Sequence, residues 1–396
     1  MIYALGMTTP KTKANTILFV DDEVNILNAL KRELHAWSKE KSLTIKTAPS
    51  AAIALNLIES SASEIAVIVS DLKMPEMLGS DFLLEVKSRW PEIITVLLTG
   101  FSETQEVMKA VRAGIFSYIL KPWEQEYLKN ELDKALEMRL ARDQNAAYAK
   151  LVEDELRWAG EMQKAMLRPT LQSTEGIELR VSYQPVPGLY CGGDYYDVVN
   201  LPGERYLILL GDVSGHGVKA AFITGILKAV IYPEYIRTVG SKPFSPGAFL
   251  GWLNERMNFE LRQASDLLIS FFAGVLDRQA MTLTYANAGQ DHPFIISGGI
   301  PRELHVSGSV LGVARTVNYI EQTEPLKTGD MVFVYTDGLV EAGASRNGAR
   351  NPGIAGILAA IPINQGYHKA VLEAALAASG AAAFEDDVTI LTAKLI

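Results

Sequence analysis

The chain has a single cysteine, and none of its apolar runs is long enough to cross a membrane. One thiol cannot build an internal disulfide framework, so Cys191 fits a protein of the reducing cytoplasm. A membrane-spanning helix needs about 20 consecutive apolar residues, and residues 1–15 lack the apolar core of a signal peptide. We therefore expect a cytoplasmic protein that does not bind or span a membrane.

The sequence also lacks a block of basic residues. Its formal net charge is −9, from 37 Lys and Arg against 46 Asp and Glu. Nucleic acids and anionic membranes bind basic patches, so the charge pattern does not favour either as a partner. The length of 396 residues allows two or three domains, each with its own core.

Residues 16–123 alternate short apolar runs with segments of helical periodicity. The apolar runs are continuous, as in strands buried on both faces of a parallel sheet, and they lie at 17–20, 65–69, 94–98 and 118–120. The helical segments between them are 24–39, 51–60, 82–90 and 104–113. This alternation predicts a doubly wound, five-stranded parallel α/β domain, in which ligands bind beyond the carboxyl ends of the strands.

Polar residues suited to phosphate chemistry follow those strands. They are Asp21, Asp22, Asp71, Thr99 and Lys121. Clustered acids can hold a divalent ion, and a lysine can neutralise charge that develops on a phosphoryl group. A nucleotide-binding or purely structural sheet is the alternative, but no glycine-rich phosphate loop follows the first strand.

The segment 71–79, Asp-Leu-Lys-Met-Pro-Glu-Met-Leu-Gly, carries the strongest signal in this domain. Together with the acidic pair, Thr99 and Lys121-Pro122, it resembles the response-regulator receiver domain. The resemblance implies that Asp71 accepts a phosphoryl group from a cognate histidine kinase or phosphotransfer protein. It further implies that Mg²⁺ binds at Asp21, Asp22 and Asp71, and that Thr99, Tyr118 and Lys121 respond to phosphorylation.

Residues 124–168 are rich in Glu, Lys, Arg, Ala, Leu and Met, with no proline and no glycine before Gly160. This composition favours one long helix. Apolar residues recur at near-heptad spacing, with a break around 139–145, at Leu128, Leu132, Ala135, Ala147, Leu151, Trp158 and Ala165. We predict a short parallel coiled coil that joins two copies into a homodimer, in preference to a lone helix packed on its own domain.

A glycine-rich turn, 211–217, follows a strand-like run and precedes a helix-like one. Its glycines let the backbone approach a ligand closely, and Asp212 offers an oxygen that suits Mg²⁺ or Mn²⁺. Further acids lie at the edges of β-rich runs, at Asp194, at Asp337 and at the pair 386–387. One such turn is a weak signal. Four acidic sites indicate carboxylates that converge on a pair of cations, because a bare cluster would repel itself.

With these motifs in this order, residues 177–396 resemble the PPM-type (phosphatase 2C-like) metal-dependent protein phosphatases, in their bacterial sporulation and stress-response branch. The resemblance implies two Mn²⁺ or Mg²⁺ ions, bound by the catalytic residues Asp194, Asp212, Asp337 and Asp386. The backbone carbonyl of Val213 would be a further ligand.

Four further residues lie near these motifs. Asp387 either shares the ligand role or flanks it. His216 is either a general acid or a structural hydrogen-bonding residue. Cys191 has no thiol-enzyme signature around it and is better explained as a small packed side chain. Gln290 stands where many relatives have histidine.

The β-rich half contains strand-like and helix-like segments that suit an α/β sandwich. The strands are expected at 178–183, 206–210, 270–276, 283–287, 293–296 and 331–335, and the helices at 218–231, 246–262 and 369–378. The predicted organisation is a receiver domain at 16–123, a helical linker at 124–168 and a phosphatase domain at 177–396.

The expected function is that of a response regulator whose phosphorylation at Asp71 controls a protein serine/threonine phosphatase. The resemblance implies a phosphorylated anti-sigma-factor antagonist as the substrate, in partner switching. The alternative is a phosphorylation-controlled adaptor that binds a sigma factor or another client without catalysis. Adaptors of this kind tend to lose the metal carboxylates, and this chain has all four.

Overall fold

The computed structural model describes residues 14–100, 104–112, 114–169, 176–239, 243–260, 267–341 and 353–396. The chain forms two compact units, Met1–Leu151 and Val152–Ile396. Residues 1–13 of the N-terminal segment and the predicted helix ends at 113 and 262 lie outside the described residues. No described helix is both long and apolar enough to cross a bilayer.

The first unit is built on a parallel five-stranded sheet in the order β2-β1-β3-β4-β5. The strands are β1 (Thr16–Val20), β2 (Thr44–Ala48), β3 (Ile65–Asp71), β4 (Ile94–Thr99) and β5 (Ser117–Leu120). The helices between them are α1 (Val24–Glu40), α2 (Ala51–Ser61), α3 (Gly79–Arg89) and α4 (Thr104–Arg112). The predicted doubly wound fold is confirmed, and separate apolar clusters cover the two faces of the sheet.

A single helix, α5 (Gln125–Met166), follows β5. Its 42 residues correspond to about 63 Å at 1.5 Å per residue. Three apolar residues of its first turns, Leu128, Leu132 and Ala135, are fully buried in the core of the first unit. These side chains therefore pack on the receiver-like sheet and are not available to a seam between helices.

The second unit contains two antiparallel five-stranded sheets, in the orders β13-β10-β9-β8-β7 and β12-β11-β14-β15-β6. The first has β7 (Asp194–Leu201), β8 (Arg205–Val213), β9 (Ile269–Asp277), β10 (Thr282–Ala288) and β13 (Gln322–Pro325). The second has β6 (Ile177–Gln184), β11 (Phe294–Ser297), β12 (Ile300–Glu303), β14 (Met331–Tyr335) and β15 (Val388–Leu395).

Alternating side chains of the second sheet enter two different cores, because successive residues of a strand point to opposite faces. In β14, Val332 and Val334 join the core shared with the first sheet. Phe333 and Tyr335 point the other way and join a second core with the helices α9 (Gly338–Glu341), α10 (Gly353–Ala360) and α11 (Tyr367–Ser379). The unit is therefore an α/β sandwich, as predicted.

The remaining helices of this unit are α6 (Val218–Ile226), α7 (Tyr232–Val239) and α8 (Pro246–Glu260). A π-helical turn, Leu227–Ile231, joins α6 to α7. Within it, Lys228 forms an ion pair of 2.6 Å with the buried carboxylate of Asp197 in β7. The segment predicted as one helix over 218–231 therefore contains a local change of helix type.

Candidate functional site

Three predicted receiver residues meet at the carboxyl ends of their strands. The ammonium of Lys121 lies 2.7 Å from Asp21 Oδ2 and 2.5 Å from Asp71 Oδ1. Asp71 Oδ2 accepts a hydrogen bond from the backbone amide of Lys73, and Asp21 Oδ1 accepts one from that of Glu23. Both carboxylates are held in fixed orientations around one ammonium group.

Burial in this pocket disfavours the charged form of the Asp71 carboxyl. Burial raises the pKa of Asp71, although the hydrogen bond from Lys121 opposes the shift. Gly79 is required beside it, because a Cβ added there would lie 1.8 Å from the carbonyl oxygen of Asp71. Thr99 is fully buried, whereas Asp22 and Tyr118 are exposed. The carboxylate oxygens of this pocket suit a divalent cation, and the Lys121 ammonium suits a phosphoryl group on Asp71.

In the second unit, two predicted aspartates face each other across a strand pair. Asp194, the first residue of β7, pairs in register with Asp212 near the end of β8. Asp194 is almost fully buried, and its Oδ2 accepts hydrogen bonds from Thr336 Oγ1 (3.0 Å) and Thr389 Oγ1 (2.6 Å). The two threonines, which the sequence analysis did not single out, hold Oδ2 of Asp194 in place. Neither of them donates a hydrogen bond to Oδ1.

The four predicted carboxylates act on one another electrostatically. Burial raises the pKa of Asp194 well above its usual range, and the charge of Asp212 adds to this shift. Burial raises the pKa of Asp212 to about 7, with contributions from Asp337 and Asp386. Asp337 shows the same behaviour, since burial and neighbouring acids raise its pKa to about 6. The structure thus brings Asp194, Asp212, Asp337 and Asp386 together.

Asp387 has a different role from its neighbour. Its Oδ1 accepts a hydrogen bond from the amide of Val186 (2.9 Å), and its Oδ2 accepts one from the amide of Gly193 (2.7 Å). Gly192 packs tightly on it, since a Cβ there would lie 2.0 Å from Asp387 Oδ2. Both oxygens therefore hold the loop that leads into Asp194, and Asp387 flanks the carboxylate cluster.

Two observations indicate that these residues are suited to binding a cation. Asp194 Oδ1 is buried and has no hydrogen-bond partner among the described residues. Gly193 lies against the carbonyl oxygen of Val213 and the carboxylate of Asp212, at 2.4 and 3.2 Å from an added Cβ. Buried polar atoms are rarely left unpaired, and carboxylate and carbonyl oxygens are the ligands that Mg²⁺ and Mn²⁺ prefer.

Gln163, near the end of α5, is a site-supporting residue that the sequence analysis missed. Its amide forms a pair of hydrogen bonds with the backbone of Gly192, at 2.7 Å from Nε2 to the carbonyl and 3.1 Å from the amide to Oε1. Gly160 permits this approach, since a Cβ there would lie 2.2 Å from the carbonyl of Tyr190. The interruption of a helix-forming segment by Gly160 was the only sequence signal for this contact.

Three other residues are placed as follows. His216 is exposed and lies near Asp387: burial raises the pKa of Asp387, and the positive charge of His216 opposes part of that rise. Gln290 is buried, accepts a hydrogen bond from Ser270 (2.6 Å) and donates one to the Tyr335 carbonyl (3.0 Å), which ties β9 to β14. Burial raises the pKa of the Cys191 thiol, consistent with a packed side chain.

Comparison with known families agrees with both halves of this description. The sequence profile of the response regulator receiver domain matches residues 17–133. The profile of stage II sporulation protein E (SpoIIE) matches residues 202–396. The chain joins a receiver domain to a SpoIIE-family domain. The resemblance read from the Asp71 segment and from the four acidic motifs is confirmed.

Individual relatives match only part of the chain. Hydrogenase transcriptional regulatory protein HoxA of Cupriavidus necator is 37% identical over 126 residues, which are 32% of this chain and 25% of that protein. Phosphoserine phosphatase RsbU of Bacillus subtilis is 26% identical over 192 residues, which are 48% of this chain and 54% of that protein. The chain thus spans only a quarter of the first relative and half of the second.

Among solved structures, the SiaA-PP2C domain of Pseudomonas aeruginosa superposes with a TM-score of 0.54 at 26% identity. The match covers 63% of this chain and 99% of that chain. This match supports a PP2C-like fold for the SpoIIE-family domain.

Proposed function

We propose that the chain is a response regulator whose SpoIIE-family domain is a metal-dependent protein serine/threonine phosphatase controlled by phosphorylation of Asp71. The observation that carries the catalytic part is the buried Oδ1 of Asp194, which has no hydrogen-bond partner in the described part of the chain and lies opposite Asp212 in a cluster whose carboxyl pKa values are raised. Such a cluster is unfavourable without cations. An adaptor that only binds a client would not need it.

In this proposal, Asp194, Asp212, Asp337, Asp386 and the Val213 carbonyl would hold two Mn²⁺ or Mg²⁺ ions. When bound, such ions lower the pKa of a coordinated water and neutralise charge on the phosphoryl group under attack. The protein's own contribution is to position the carboxylates that would hold the ions.

Two sets of hydrogen bonds provide that positioning. Thr336 and Thr389 hold Asp194, while Asp387 holds the amide of Gly193. Because these bonds fix the orientation of Asp194 and of the loop before it, they would preorganise the site for the cations.

In the receiver, Asp71 is the proposed phosphoryl acceptor, with Mg²⁺ held by Asp21, Asp22 and Asp71. The Lys121 ammonium already contacts Asp71 and could neutralise added phosphoryl charge. The phosphodonor would be a cognate histidine kinase or phosphotransfer protein in the cytoplasm.

The proposed substrate is a phosphorylated anti-sigma-factor antagonist, a small protein with a phosphorylated serine or threonine. This part rests on the family resemblance and on the similarity to a protein described as a phosphoserine phosphatase. The proposed metal site would account for hydrolysis of such an ester, and it does not itself select the protein that carries it.

Replacement of Asp212 by Asn tests the catalytic proposal. The change removes one charged oxygen from the shared site, so we expect loss of Mn²⁺-stimulated hydrolysis of a phosphoserine protein, by about a hundredfold or more, with the fold intact by circular dichroism. Glu385→Gln is the matched control, because this exposed acid adjoins Asp386. Absence of hydrolysis by the unaltered protein, with either metal and in either phosphorylation state, would favour the adaptor.

A further inference from the structure

A second group of metal-ligating side chains lies at the base of the β11–β12 hairpin. One ligand atom from each of His292, Glu303 and His305 lies within 4.8 Å of the other two. His292 Nδ1 is 3.1 Å from Glu303 Oε1, and His305 Nδ1 is 3.8 Å from the same oxygen. The two imidazole rings are nearly perpendicular, with centroids 5.2 Å apart.

The backbone fixes this arrangement. Phe294 and Glu303 are paired in register at the open end of the hairpin. The amide of Leu304 donates a hydrogen bond of 2.8 Å to the carbonyl of Pro293. Leu304 and Val306 are buried, so they anchor the chain on both sides of His305. The three polar side chains therefore project from backbone that hydrogen bonds and buried neighbouring residues hold in place.

Two imidazoles and one carboxylate form a typical donor set for zinc, and they suit the borderline transition metals better than they suit Mg²⁺. Zinc bonds to such ligands measure about 2.0–2.2 Å, which places the ligand atoms of a tetrahedral ion about 3.4 Å apart. The observed separations of 3.1 and 3.8 Å bracket this value.

A further contact orients one of the imidazoles. His292 Nε2, the ring nitrogen that does not contact Glu303, lies 3.3 Å from Ser307 Oγ. Zinc-ligating histidines usually use their second nitrogen in this way, which fixes the ring orientation and the tautomer. An ordinary ion pair between one histidine and Glu303 would not require the second histidine.

We propose that His292, Glu303 and His305 bind a single Zn²⁺ ion, or a similar borderline transition-metal ion, separately from the carboxylate cluster of the proposed active site. Water would complete the coordination, since the site faces solvent. The proposal does not depend on phosphatase activity.

Zinc binding to the metal-free, full-length protein tests this in competition with a chromophoric chelator. Millimolar Mg²⁺ is present throughout, because it competes for oxygen-only sites and leaves imidazole sites available. We expect one equivalent of Zn²⁺ to be retained by the unaltered protein. His305→Ala should weaken this binding at least about tenfold, the low end of effects seen for groups that support a metal site.

The variants are chosen so that misfolding does not obscure the result. His305 is largely exposed, with 72% of its side-chain surface accessible, so its replacement leaves the core unchanged. Glu303→Gln should weaken binding similarly, whereas His35→Ala, at an exposed position of α1, should not. Co²⁺ should give visible absorption bands that disappear in His305→Ala. Equal zinc affinity in the unaltered protein and His305→Ala, or no zinc retained in the presence of Mg²⁺, would overturn the proposal.

Discussion

Adjacent residues of identical type can have different roles, as Asp386 and Asp387 do. Asp387 uses both carboxylate oxygens on the backbone amides of Val186 and Gly193. Asp386 accepts only the amide of Asp387 in the described structure, and its charge acts on Asp212. The sequence could not separate the two, because the distinction depends on a loop almost 200 residues away.

A different buried residue, His368, gives a prediction about stability. Its ring nitrogens lie 2.8 Å from Ser182 Oγ and 2.9 Å from Thr392 Oγ1. Burial lowers its pKa to about 4, and the positive charge of Arg180 adds to the effect. The neutral ring is therefore favoured in the folded state, while the unfolded chain takes up a proton near pH 6.5.

Since the folded pKa is below the unfolded one, this stabilisation is complete above pH 6.5 and is lost as the pH falls toward 4. Between pH 7 and 4.5 we expect the free energy of unfolding to fall by about 2.5 kcal/mol more in the unaltered protein than in His368→Asn. Urea unfolding at the two pH values measures the difference. His35→Asn, at an exposed position, is the control. An imidazole of His368 that titrates near 6.5 in the folded protein would contradict the prediction.

At the scale of elements, the end of α5 is part of the SpoIIE-family domain and supports its site. Leu167, just beyond the helix, is fully buried in the main core of the domain. Four residues earlier, Gln163 is hydrogen-bonded to Gly192, two residues before Asp194. The helix thus contacts the loop that positions a proposed metal ligand.

Gln163→Leu should weaken the response to metal. The change leaves the amide and carbonyl of Gly192 without their partner, a loss of about 1–3 kcal/mol that falls on the loop before Asp194. We expect the Mn²⁺ concentration for half-maximal phosphatase activity to rise about tenfold, with activity restored at high Mn²⁺. Gln144→Leu, on an exposed face of the same helix, is the control. An unchanged Mn²⁺ dependence in Gln163→Leu would show that this contact does not support the site.

The middle of α5 would carry the surface of the predicted homodimer. Tyr148, Leu151 and Trp158 are exposed by 69%, 58% and 59%. Leu151 and Trp158 are one heptad apart and so lie on one face of the helix. An exposed apolar stripe of this spacing is unfavourable in water and would be covered in a parallel coiled coil.

Replacing Leu151 and Trp158 together with Lys would place like charges where apolar side chains are expected to pack. We expect the unaltered protein to be a dimer at micromolar concentration and the double variant to be a monomer, by light scattering. Asn145→Lys with Ala149→Lys adds the same charge on another face of the helix and should leave the dimer intact. A monomeric unaltered protein in both phosphorylation states would rule out this interface.

Elements with a continuous apolar pattern could be predicted from the sequence, and those whose pattern is interrupted by polar residues could not. β2, Thr44–Ala48, is a partly exposed edge strand with a lysine at its centre, so it has no continuous apolar run. β7 was missed because it contains the buried acids Asp194 and Asp197. The proposed metal ligands Asp194, Asp212 and Asp337 could be singled out because each has a glycine beside it at the edge of a β-rich run. Thr336, Thr389 and Gln163 could not, because neutral polar residues acquire their role only through tertiary contacts.

At the scale of the whole molecule, one helix contributes buried residues to both units. Leu128 and Leu132 of its first turns are in the receiver core, and Gln163 near its end is buried in the SpoIIE-family domain. Coupling between distant sites requires an element with two states that both sites can bias. We infer that α5, through its pairing in a dimer or its rotation, is that element.

Phosphorylation of Asp71 should therefore change phosphatase activity in the intact protein. Added negative charge beside Lys121 and the buried Thr99 would draw both side chains toward the phosphoryl oxygens, and the exposed Tyr118 would be free to turn inward. β5 is followed directly by α5. A change in packing at Tyr118 would therefore alter the contacts of the first turns of α5 with the receiver core.

Beryllofluoride, a phosphoryl mimic, tests this coupling. We expect it to change the turnover of a phosphoserine protein by about fivefold or more, which corresponds to a coupling free energy of about 1 kcal/mol. Asp71→Ala should show no change, because the acceptor is missing. A fragment starting at Val152 should also show none, and it keeps Gln163 and Leu167 in place, so loss of the response would not reflect a damaged site. Equal turnover of the intact protein with and without beryllofluoride, when its binding to the receiver is confirmed by fluorine NMR, would show that the receiver does not control this domain.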